Sequence, residues 1–593
     1  MTGIAGGTVG GERLGRMVEL LHDEEWYGSD RFEAGACGLG LRHHGDRDPR
    51  GHAFHADGRQ AGAVDGAVTN LGELGWDVST VIERLLATPE RTLRALEGPF
   101  TVAAVDAAAE RVLVATDKIG SRPPVYTVDD GLVFASGLAP MLAVLDDPTV
   151  DEQGVSDLLL MGHMWGETTL LEGVKSLHPA TVLEYHDGSV TKRRYWHPDY
   201  TPAEPTEEYF HRLVDRFQGA VDRTAGSVSG SVGLWLSGGL DSRATMSELA
   251  RNHDEGGFGP LVAYTYDANP GGGINPRLAG EVAETLGVPI ETVPLTPDGF
   301  LPVMEEAVDV TDGMVRWNTL LNLTATHNIE AHDPDVLMEG IVGELLGQHL
   351  SRYHLTEASS LVDSMYHSEA ALSTEAVEGL LAVDVDPLGS FRAEARRIDE
   401  PTFEGAVVDA HFQNYYPRMV HASNPVARTR AGTRVPHADG PLLSQAASLP
   451  VSWRMGSLPF SGGELIHGVV KPKIRLMRAL NRDLAEIPYE RSRLKPTRPY
   501  PLHVAGFFAS TALAQLRDRP TYGGKSMAGE WYRSHDAFRD RLDGLVDDAC
   551  DRRWFDADAV RERQQRHLEG EREEMGALGA VTTLELWLQR HLD

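Results

Sequence analysis

The sequence predicts an α/β protein of two domains, the first rich in antiparallel strands and the second built on a doubly wound parallel sheet. At 593 residues the chain is too long for one hydrophobic core. Its first part alternates apolar and polar residues in short runs punctuated by Gly, Asn and Asp. From about residue 207, amphipathic helices alternate with buried apolar runs, which is typical of a parallel sheet whose strands are joined by helices.

The strand pattern of the first domain is clearest in RQAGAVDGAVTNLG, PFTVAAVDAAAERVLVATD, PPVYTVDDGLVFASG and ATVLEYHDGSVTKRRYW. A stretch rich in Pro and acids, HPDYTPAEPTEEY at 197–209, follows and indicates a linker. We therefore place the first domain at 1–200 and the second at 205–593. The carboxyl-terminal part of the second domain reads as mainly helical.

The composition excludes several classes of protein. The chain has 88 acidic and 55 basic residues, a formal net charge of −33, and only seven of the basic residues are lysine. This balance indicates a salt-adapted (halophilic) protein and argues against nucleic-acid binding, which needs basic patches. No run reaches the ~18–20 apolar residues of a membrane span, and the start MTGIAGGTVGGERLG does not resemble a signal peptide. We expect a cytoplasmic protein without nucleic-acid or membrane partners.

One motif carries the chemistry: LWLSGGLDSRAT at 234–245, where an apolar strand breaks into two glycines, an aspartate and a serine before a helix. Glycines let a ligand approach the backbone, and N–H groups at a helix start bind anions. The lysine of a Walker loop is absent. Asp241 would repel a bare phosphate but suits a Mg²⁺ ion that bridges phosphates. The alternative interpretation is a glycine turn capped by Asp241 and Ser242.

The hexapeptide SGGLDS resembles the pyrophosphate loop of the N-type ATP pyrophosphatases, and the flanking sequence resembles one family among them, the asparagine synthetases. The resemblance runs nearly end to end, through LEGPFTVAAVD, TDKIGSRPPVY, FASGLAPMLAVL, TLLEGVKSLHPATVLEY, RTRAGTRVPHADGPLLSQAASLP, KIRLMRALNRDL and YERSRLKPTRPY. It implies an N-terminal glutamine-amidotransferase-like domain of the Ntn type, with αββα layers, followed by an ATP-pyrophosphatase domain.

The resemblance also implies a reaction. Such enzymes adenylate a carboxylate with Mg-ATP, release pyrophosphate, and let a nitrogen nucleophile displace AMP to give an amide. The residues that would bind ATP and pyrophosphate are Leu236, Ser237, Gly238, Gly239, Asp241, Ser242, Tyr266 and Gly340. Asp241 and Glu344 would bind Mg²⁺, and the catalytic residues would be Glu344 and Lys495, the latter in RLKPTRPY.

The first domain departs from the family in two places. The family's nucleophile is an N-terminal cysteine, where this chain has Thr2. Asp65 stands where the family has an asparagine, and a carboxylate there would repel a developing oxyanion. We therefore expect no glutaminase activity. The segment LRHHGDRDPRGH (41–52) resembles the family's corresponding loop in its basic, Gly-rich composition. We expect a polar surface loop there rather than a metal site.

The second domain departs from the family in VLMEGIVGELLGQH (336–349). Gly340 and Gly343 occupy the positions of two acids near the phosphates, and the acids of this chain are Glu339 and Glu344. A glycine-rich loop could absorb a shift of one residue, which makes Glu344 a candidate Mg²⁺ ligand. The equal alternative is that Glu344 caps the following helix.

Three functions stay open. The first is an amide synthase that uses a small-molecule or peptide carboxylate with ammonia or an amine. The second is an intramolecular cyclase resembling lasso-peptide macrolactam or β-lactam synthetases, and the third is a non-catalytic binding protein that keeps the fold. Composition alone suggests Arg316 and Trp317 for the carboxylate pocket. The oligomeric state is open, and a homodimer is allowed.

Overall fold

The computed structural model describes residues 2–21, 24–129, 131–267, 274–329, 333–340, 344–346, 354, 358–454, 456, 458, 461, 465, 467–516 and 526–593. The strands are β1 (Gly3–Gly7), β2 (Gly28–Ala34), β3 (Cys37–His43), β4 (His52–Ala56), β5 (Gln60–Gly66), β6 (Phe100–Asp106), β7 (Arg111–Thr116), β8 (Val125–Val128), β9 (Leu132–Ala135), β10 (Lys175–Ser176), β11 (Thr181–His186), β12 (Ser189–Arg194), β13 (Val232–Trp235), β14 (Leu261–Thr265), β15 (Ile290–Thr292), β16 (Val336–Glu339) and β17 (Gly432–Arg434).

The helices are α1 (Gly11–Leu20), α2 (Leu71–Leu74), α3 (Val78–Ala87), α4 (Pro89–Ala95), α5 (Leu138–Met141), α6 (Glu152–Met161), α7 (Glu207–Gly226), α8 (Asp241–Asp254), α9 (Ile274–Leu286), α10 (Pro297–Phe300), α11 (Met304–Asp309), α12 (Asn322–His327), α13 (Leu361–Glu369), α14 (Thr374–Glu378), α15 (Gly389–Arg397), α16 (Phe403–Tyr415), α17 (Ser423–Ala427), α18 (Gly440–Ala447), α19 (Val451–Arg454), α20 (Lys471–Leu480), α21 (Tyr500–Leu516), α22 (Met527–Ser534), α23 (Asp536–Cys550), α24 (Ala557–Leu568) and α25 (Met575–His591). A π-helical turn, Tyr416–Val420, extends α16. Within the described residues, none of these helices combines the length and apolarity needed to cross a bilayer.

The first domain is a sandwich of two antiparallel sheets, ordered β10-β8-β9-β1-β3-β2 and β12-β11-β7-β6-β5-β4. Leu39 of one sheet and Val105 of the other belong to one apolar core between the sheets. Helix α1 covers the outer face of the first sheet, and α3 and α4 cover that of the second. Because both faces of β6 are covered, its sequence FTVAAV is apolar almost throughout. The predicted αββα layers are confirmed.

The second domain is built on a five-stranded parallel sheet, ordered β15-β14-β13-β16-β17. Separate apolar clusters cover its two faces, which confirms the doubly wound arrangement. From β13 the chain runs outward through β14 to β15, and it then returns to β16 on the other side of β13. The strand order therefore reverses between β13 and β16, and ligands of such sheets bind beyond the carboxyl ends of the strands at this point.

The two domains share an apolar core that joins α1, α5 and α6 of the first domain to α11, α23 and α25 of the second. Between them, β12 ends at Arg194 and α7 begins at Glu207, where the Thr206 side chain accepts a hydrogen bond from the Tyr209 N–H as its cap. The domain limits of 1–200 and 205–593 stay predictions.

Candidate active site

The loop between β13 and α8 is closed by its own hydrogen bonds. The Ser237 N–H donates to Ser242 Oγ at 3.0 Å, and the two serine hydroxyls lie 2.9 Å apart. The Gly239 N–H donates to Ser237 Oγ at 3.2 Å. Helix α8 has no side-chain cap at Leu240, so the first N–H groups of the helix are left to a ligand. N–H groups at a helix start of this kind are suited to bind an anion.

Two glycines let this loop pack against its neighbours. A Cβ at Gly340, directly after β16, would overlap the Cα and Cβ of Ser242. A Cβ at Gly238 would lie 3.0 Å from Leu278 Cδ1 and 3.2 Å from Glu490 Cβ. Gly238 and Gly340 therefore allow the loop after β13 and the loop after β16 to pack closely together where the strand order reverses.

Asp241 begins α8 and forms an ion pair that the sequence analysis did not anticipate. Lys473 Nζ, in the first turn of α20, lies 2.7 Å from Asp241 Oδ2. The lysine side chain is 5% exposed and that of the aspartate 23%, so the carboxylate stays accessible to a ligand. The scarcity of lysine in this chain was the signal that could have pointed to Lys473.

Lys495, the catalytic lysine predicted from the sequence, occupies a different environment. Its Nζ donates to Glu486 Oε2 at 3.1 Å in an exposed ion pair, and this bond lowers the pKa of Glu486. The catalytic role of Lys495 stays a prediction. Lys473 is the lysine that contacts Asp241, and we carry it forward as the second candidate.

Arg243 ties the loop to the segment that precedes Lys495. Its buried guanidinium donates to the carbonyl oxygens of Leu484 and Ile487 at 3.0 and 2.8 Å. It also donates to the Gly238 carbonyl at 3.2 Å. Burial lowers the pKa of Arg243 to about 10. These bonds hold the loop in one conformation before any ligand binds.

Aromatic side chains stand at the carboxyl ends of β13 and β14. The ring of Tyr266 lies edge-on to that of Trp235, with centroids 5.3 Å apart. Asn275 donates to the Tyr266 carbonyl at 3.0 Å and accepts a bond from the loop at 2.6 Å. Leu236 is buried and its N–H donates to the Tyr264 carbonyl, so it offers a nucleotide only backbone atoms. Leu236 and Tyr266 are both predicted to contact the nucleotide, and at this edge Tyr266 can do so with its side chain.

The acids after β16 are only partly described. Glu339 is the last residue of β16. Burial raises the pKa of Glu339 to about 6, although a hydrogen bond from Ser423 acts in the opposite direction. Glu344 begins a short 3₁₀ turn, Glu344–Leu346, but its side chain and Gly343 lie outside the described residues. The predicted roles of Glu344 as metal ligand and catalytic residue therefore stay predictions.

The loop fits the pyrophosphate part of Mg-ATP. It offers uncapped helix N–H groups, the hydroxyls of Ser237 and Ser242, and glycine backbone that a ligand can approach. Mg²⁺ is usually held by one or two carboxylates together with phosphate oxygens. Asp241 supplies one such carboxylate at the mouth of the loop.

The two substituted positions of the first domain meet in space. The Thr2 hydroxyl donates to Asp65 Oδ1 at 3.2 Å. Asp65 also accepts from Arg122 at 2.8 Å and from Arg428, which belongs to the second domain, at 3.4 Å. All four side chains are buried. The position expected to stabilise an oxyanion is therefore a carboxylate neutralised by two guanidinium groups.

Replacing Asp65 with asparagine is expected to lower the free energy of unfolding by ~3–5 kcal/mol, because two buried cations lose their shared partner. Urea unfolding of the full chain measures this loss. Asp146→Asn is the matched control, because Asp146 is exposed and pairs with Arg13 at 3.5 Å, a contact worth at most ~1 kcal/mol. Equal losses in the two variants would contradict the inferred importance of the buried cluster.

The segment 41–52 is only in part the polar surface loop that we expected, because Asp46, Arg47 and Arg50 are exposed whereas His44 and Asp48 are buried. Both carboxylate oxygens of Asp48 accept from Arg434 of β17, at 2.8 and 2.7 Å, and both side chains are buried. His44 Nε2 lies 3.0 Å from the Arg428 carbonyl, and burial lowers the pKa of His44 to about 4. The expectation was wrong for His44 and Asp48, because their partners lie in the other domain.

The expectation for Trp317 was also wrong. Trp317 is fully buried, and its indole N–H donates to Thr582 Oγ1 at 2.9 Å. Arg316 donates to the Gly576 carbonyl at 3.1 Å. Both residues pack against α25 as part of the core between the domains.

Known proteins resemble both halves of the chain. Residues 76–196 match the family model of a glutamine amidotransferase domain, and residues 212–471 match that of asparagine synthase. Asparagine synthetase [glutamine-hydrolyzing] 3 of Bacillus subtilis (strain 168) is 27% identical over 195 residues, which are 32% of this chain and 32% of that protein. Asparagine synthetase [glutamine-hydrolyzing] 1 of the same organism is 23% identical over 199 residues, 33% of this chain and 30% of that protein. The chain thus spans about a third of the length of these curated relatives.

Among solved structures, glutamine phosphoribosylpyrophosphate amidotransferase from B. subtilis, complexed with ADP and GMP, is 14% identical, with a TM-score of 0.24. This likeness covers 49% of this chain and 65% of that one and is too slight to add to the fold. The sandwich and the parallel sheet, with the two family models that match them, define a two-domain protein of the glutamine-amidotransferase and asparagine-synthase type. Both matched family models and both curated relatives therefore make the two halves of this chain similar to the asparagine synthetases.

Proposed function

We propose that the protein is an ATP-dependent amide synthase that adenylates a carboxylate, releases pyrophosphate, and transfers the acyl group to ammonia or an amine with release of AMP. The observation that supports this most is the closed loop Ser237–Ser242 at the uncapped start of α8, where Lys473 pairs with Asp241. The loop lies where the strand order reverses, which is the usual ligand position in such sheets.

The residues of the loop have separate tasks in this reaction. The N–H groups that begin α8 and the hydroxyls of Ser237 and Ser242 bind the phosphates that leave as pyrophosphate. Asp241 would hold Mg²⁺, which would supply positive charge to neutralise this leaving group. The substrate carboxylate attacks the α-phosphorus of ATP, and the bond to pyrophosphate breaks. Lys473 is buried beside the loop, and its ammonium group stabilises the negative charge that develops on the adenylate.

The source of nitrogen follows from the first domain. Glutamine hydrolysis passes through an oxyanion, and Asp65 places a carboxylate where the family has an amide donor. Ammonia or a substrate amine therefore attacks the acyl carbon of the adenylate, loses a proton, and expels AMP. The first domain then serves as a scaffold that docks on the second through Asp48 and Arg434.

Glutamine is expected not to support the reaction, and Thr2→Ala is expected to leave the ammonia-dependent rate within about twofold of wild type, since the hydroxyl of Thr2 only donates to Asp65. Ammonia release from glutamine is measured alongside amide formation. Release by the wild type that disappears in Thr2→Ala would show that the first domain is an active glutaminase.

The proposal is tested by measuring pyrophosphate release from ATP against a panel of carboxylates, with ammonia and then with amines as nucleophile. The assay is run in molar KCl, because the net charge of −33 leads us to propose salt adaptation. AMP and amide formed with ammonia or an added amine support the proposal. Product formed from a substrate with its own amine, without any added nucleophile, indicates a cyclase. No release with any carboxylate would refute adenylation and leave a binding protein.

A further inference from the structure

A partly open cavity of about 70 Å³ lies between the two domains. Arg122 and Ser136 of the first domain line it, together with Asp312, Arg418 and Arg428 of the second. One buried water needs ~10–15 Å³ on the same scale, so the cavity has room for several waters or for one small ion. None of the residues that line the cavity belongs to the loop Ser237–Ser242, so the cavity is separate from that loop.

Arg418 is the side chain in this cavity whose charge lacks a partner. It lies in the π-helical turn that follows α16, a local geometry that is often found at functional sites. The residue is 7% exposed, and burial alone lowers its pKa to about 10. Within the described part of the chain, Arg418 makes no ion pair or hydrogen bond. A buried cation without a counter-charge is costly, which indicates that a ligand supplies one.

The other charged groups do not supply that counter-charge. Arg122 and Arg428 share the carboxylate of Asp65. Asp312 is the second acid near the cavity, and burial raises its pKa to about 6. Burial lowers the pKa of His421 to about 3, so this ring is neutral. Among the described residues named above, three guanidinium groups are thus set against two carboxylates.

We propose that this cavity binds one small monovalent anion, either a halide or a carboxylate of one or two carbons, with Arg418 as its main ligand and Arg122 and Arg428 beside it. Arg122 has a donor to offer, because its buried Nε has no hydrogen-bond partner among the described residues. The volume of about 70 Å³ matches a small anion. The arginines that would bind the anion come from both domains. Because the anion binds only the folded protein, its binding stabilises the docked arrangement of the two domains.

The test is a thermal unfolding series of the full chain in which chloride replaces gluconate at constant ionic strength. Gluconate has six carbons and is larger than the anion that the cavity volume matches. We expect a saturable rise in Tm for the wild type, by about 2 °C or more relative to Arg418→Met measured in the same series. A parallel series with formate distinguishes a halide site from a carboxylate site. Arg561→Met, which changes an exposed arginine, is expected to respond as the wild type does.

An identical response in the wild type and Arg418→Met would overturn the proposal. A second measurement does not depend on the folding of that variant. Wild-type crystals soaked in bromide are expected to show an anomalous difference peak beside the Arg418 guanidinium. For a protein whose Tm responds to chloride, absence of this peak at a bromide concentration equal to the saturating chloride concentration would also overturn the site.

Discussion

Asp241→Asn is expected to lower ATP–pyrophosphate exchange by at least about 10³-fold, the largest effect of any single substitution in the loop. The substitution keeps the shape of the side chain but removes the charge that pairs with Lys473 and would bind Mg²⁺. Carboxylate-dependent incorporation of labelled pyrophosphate into ATP measures the rate.

Asp254→Asn provides the control for Asp241→Asn. Asp254 ends the same helix, and its side chain is exposed. The Asp254→Asn variant is expected to exchange pyrophosphate at the wild-type rate. Exchange that survives in Asp241→Asn at the level of this control would remove Asp241 from the set of metal ligands.

Lys473→Met is expected to reduce kcat by ~10²–10³-fold, with a smaller change in the KM for ATP. The reason is that the buried ammonium group contacts the loop and would interact most strongly with charge that develops in the transition state. Steady-state kinetics with saturating ammonia separates the two constants. Lys175→Met, which changes an exposed lysine of β10, is the control.

The comparison with Lys495→Met decides between the two candidate lysines. Lys495 pairs with Glu486 at the surface, whereas Lys473 pairs with Asp241 at the loop. A large loss of kcat in Lys495→Met together with a mild effect in Lys473→Met would support the lysine predicted from the sequence and reject the one that the structure brings to the loop.

The layers of the fold were predictable because their signals are local. The apolar run of β6 reflects a strand covered on both faces, and the alternation of helices and apolar runs after residue 207 reflects the parallel sheet. The closed loop was predictable for the same reason, since Ser237 and Ser242 are bonded across only five positions.

The partners of the loop were not predictable, because they come from distant parts of the chain. Asn275 lies 37 positions from Gly238, to which it is bonded, and Lys473 lies 232 positions from Asp241. No periodicity or motif records such a pairing. The sequence indicated Lys495, in RLKPTRPY, but it could not show that this lysine lies in an exposed ion pair.

The sequence by itself determined the two-domain fold and the closed loop at the start of α8, because hydrophobic period, glycine placement and short-range hydrogen bonds act within a few residues. The tertiary structure decided which lysine pairs with Asp241, which two arginines pair with Asp65, and why Asp48 is buried against Arg434. The physical reason is that a buried charge needs a partner of opposite sign, and packing alone determines which distant residue provides it.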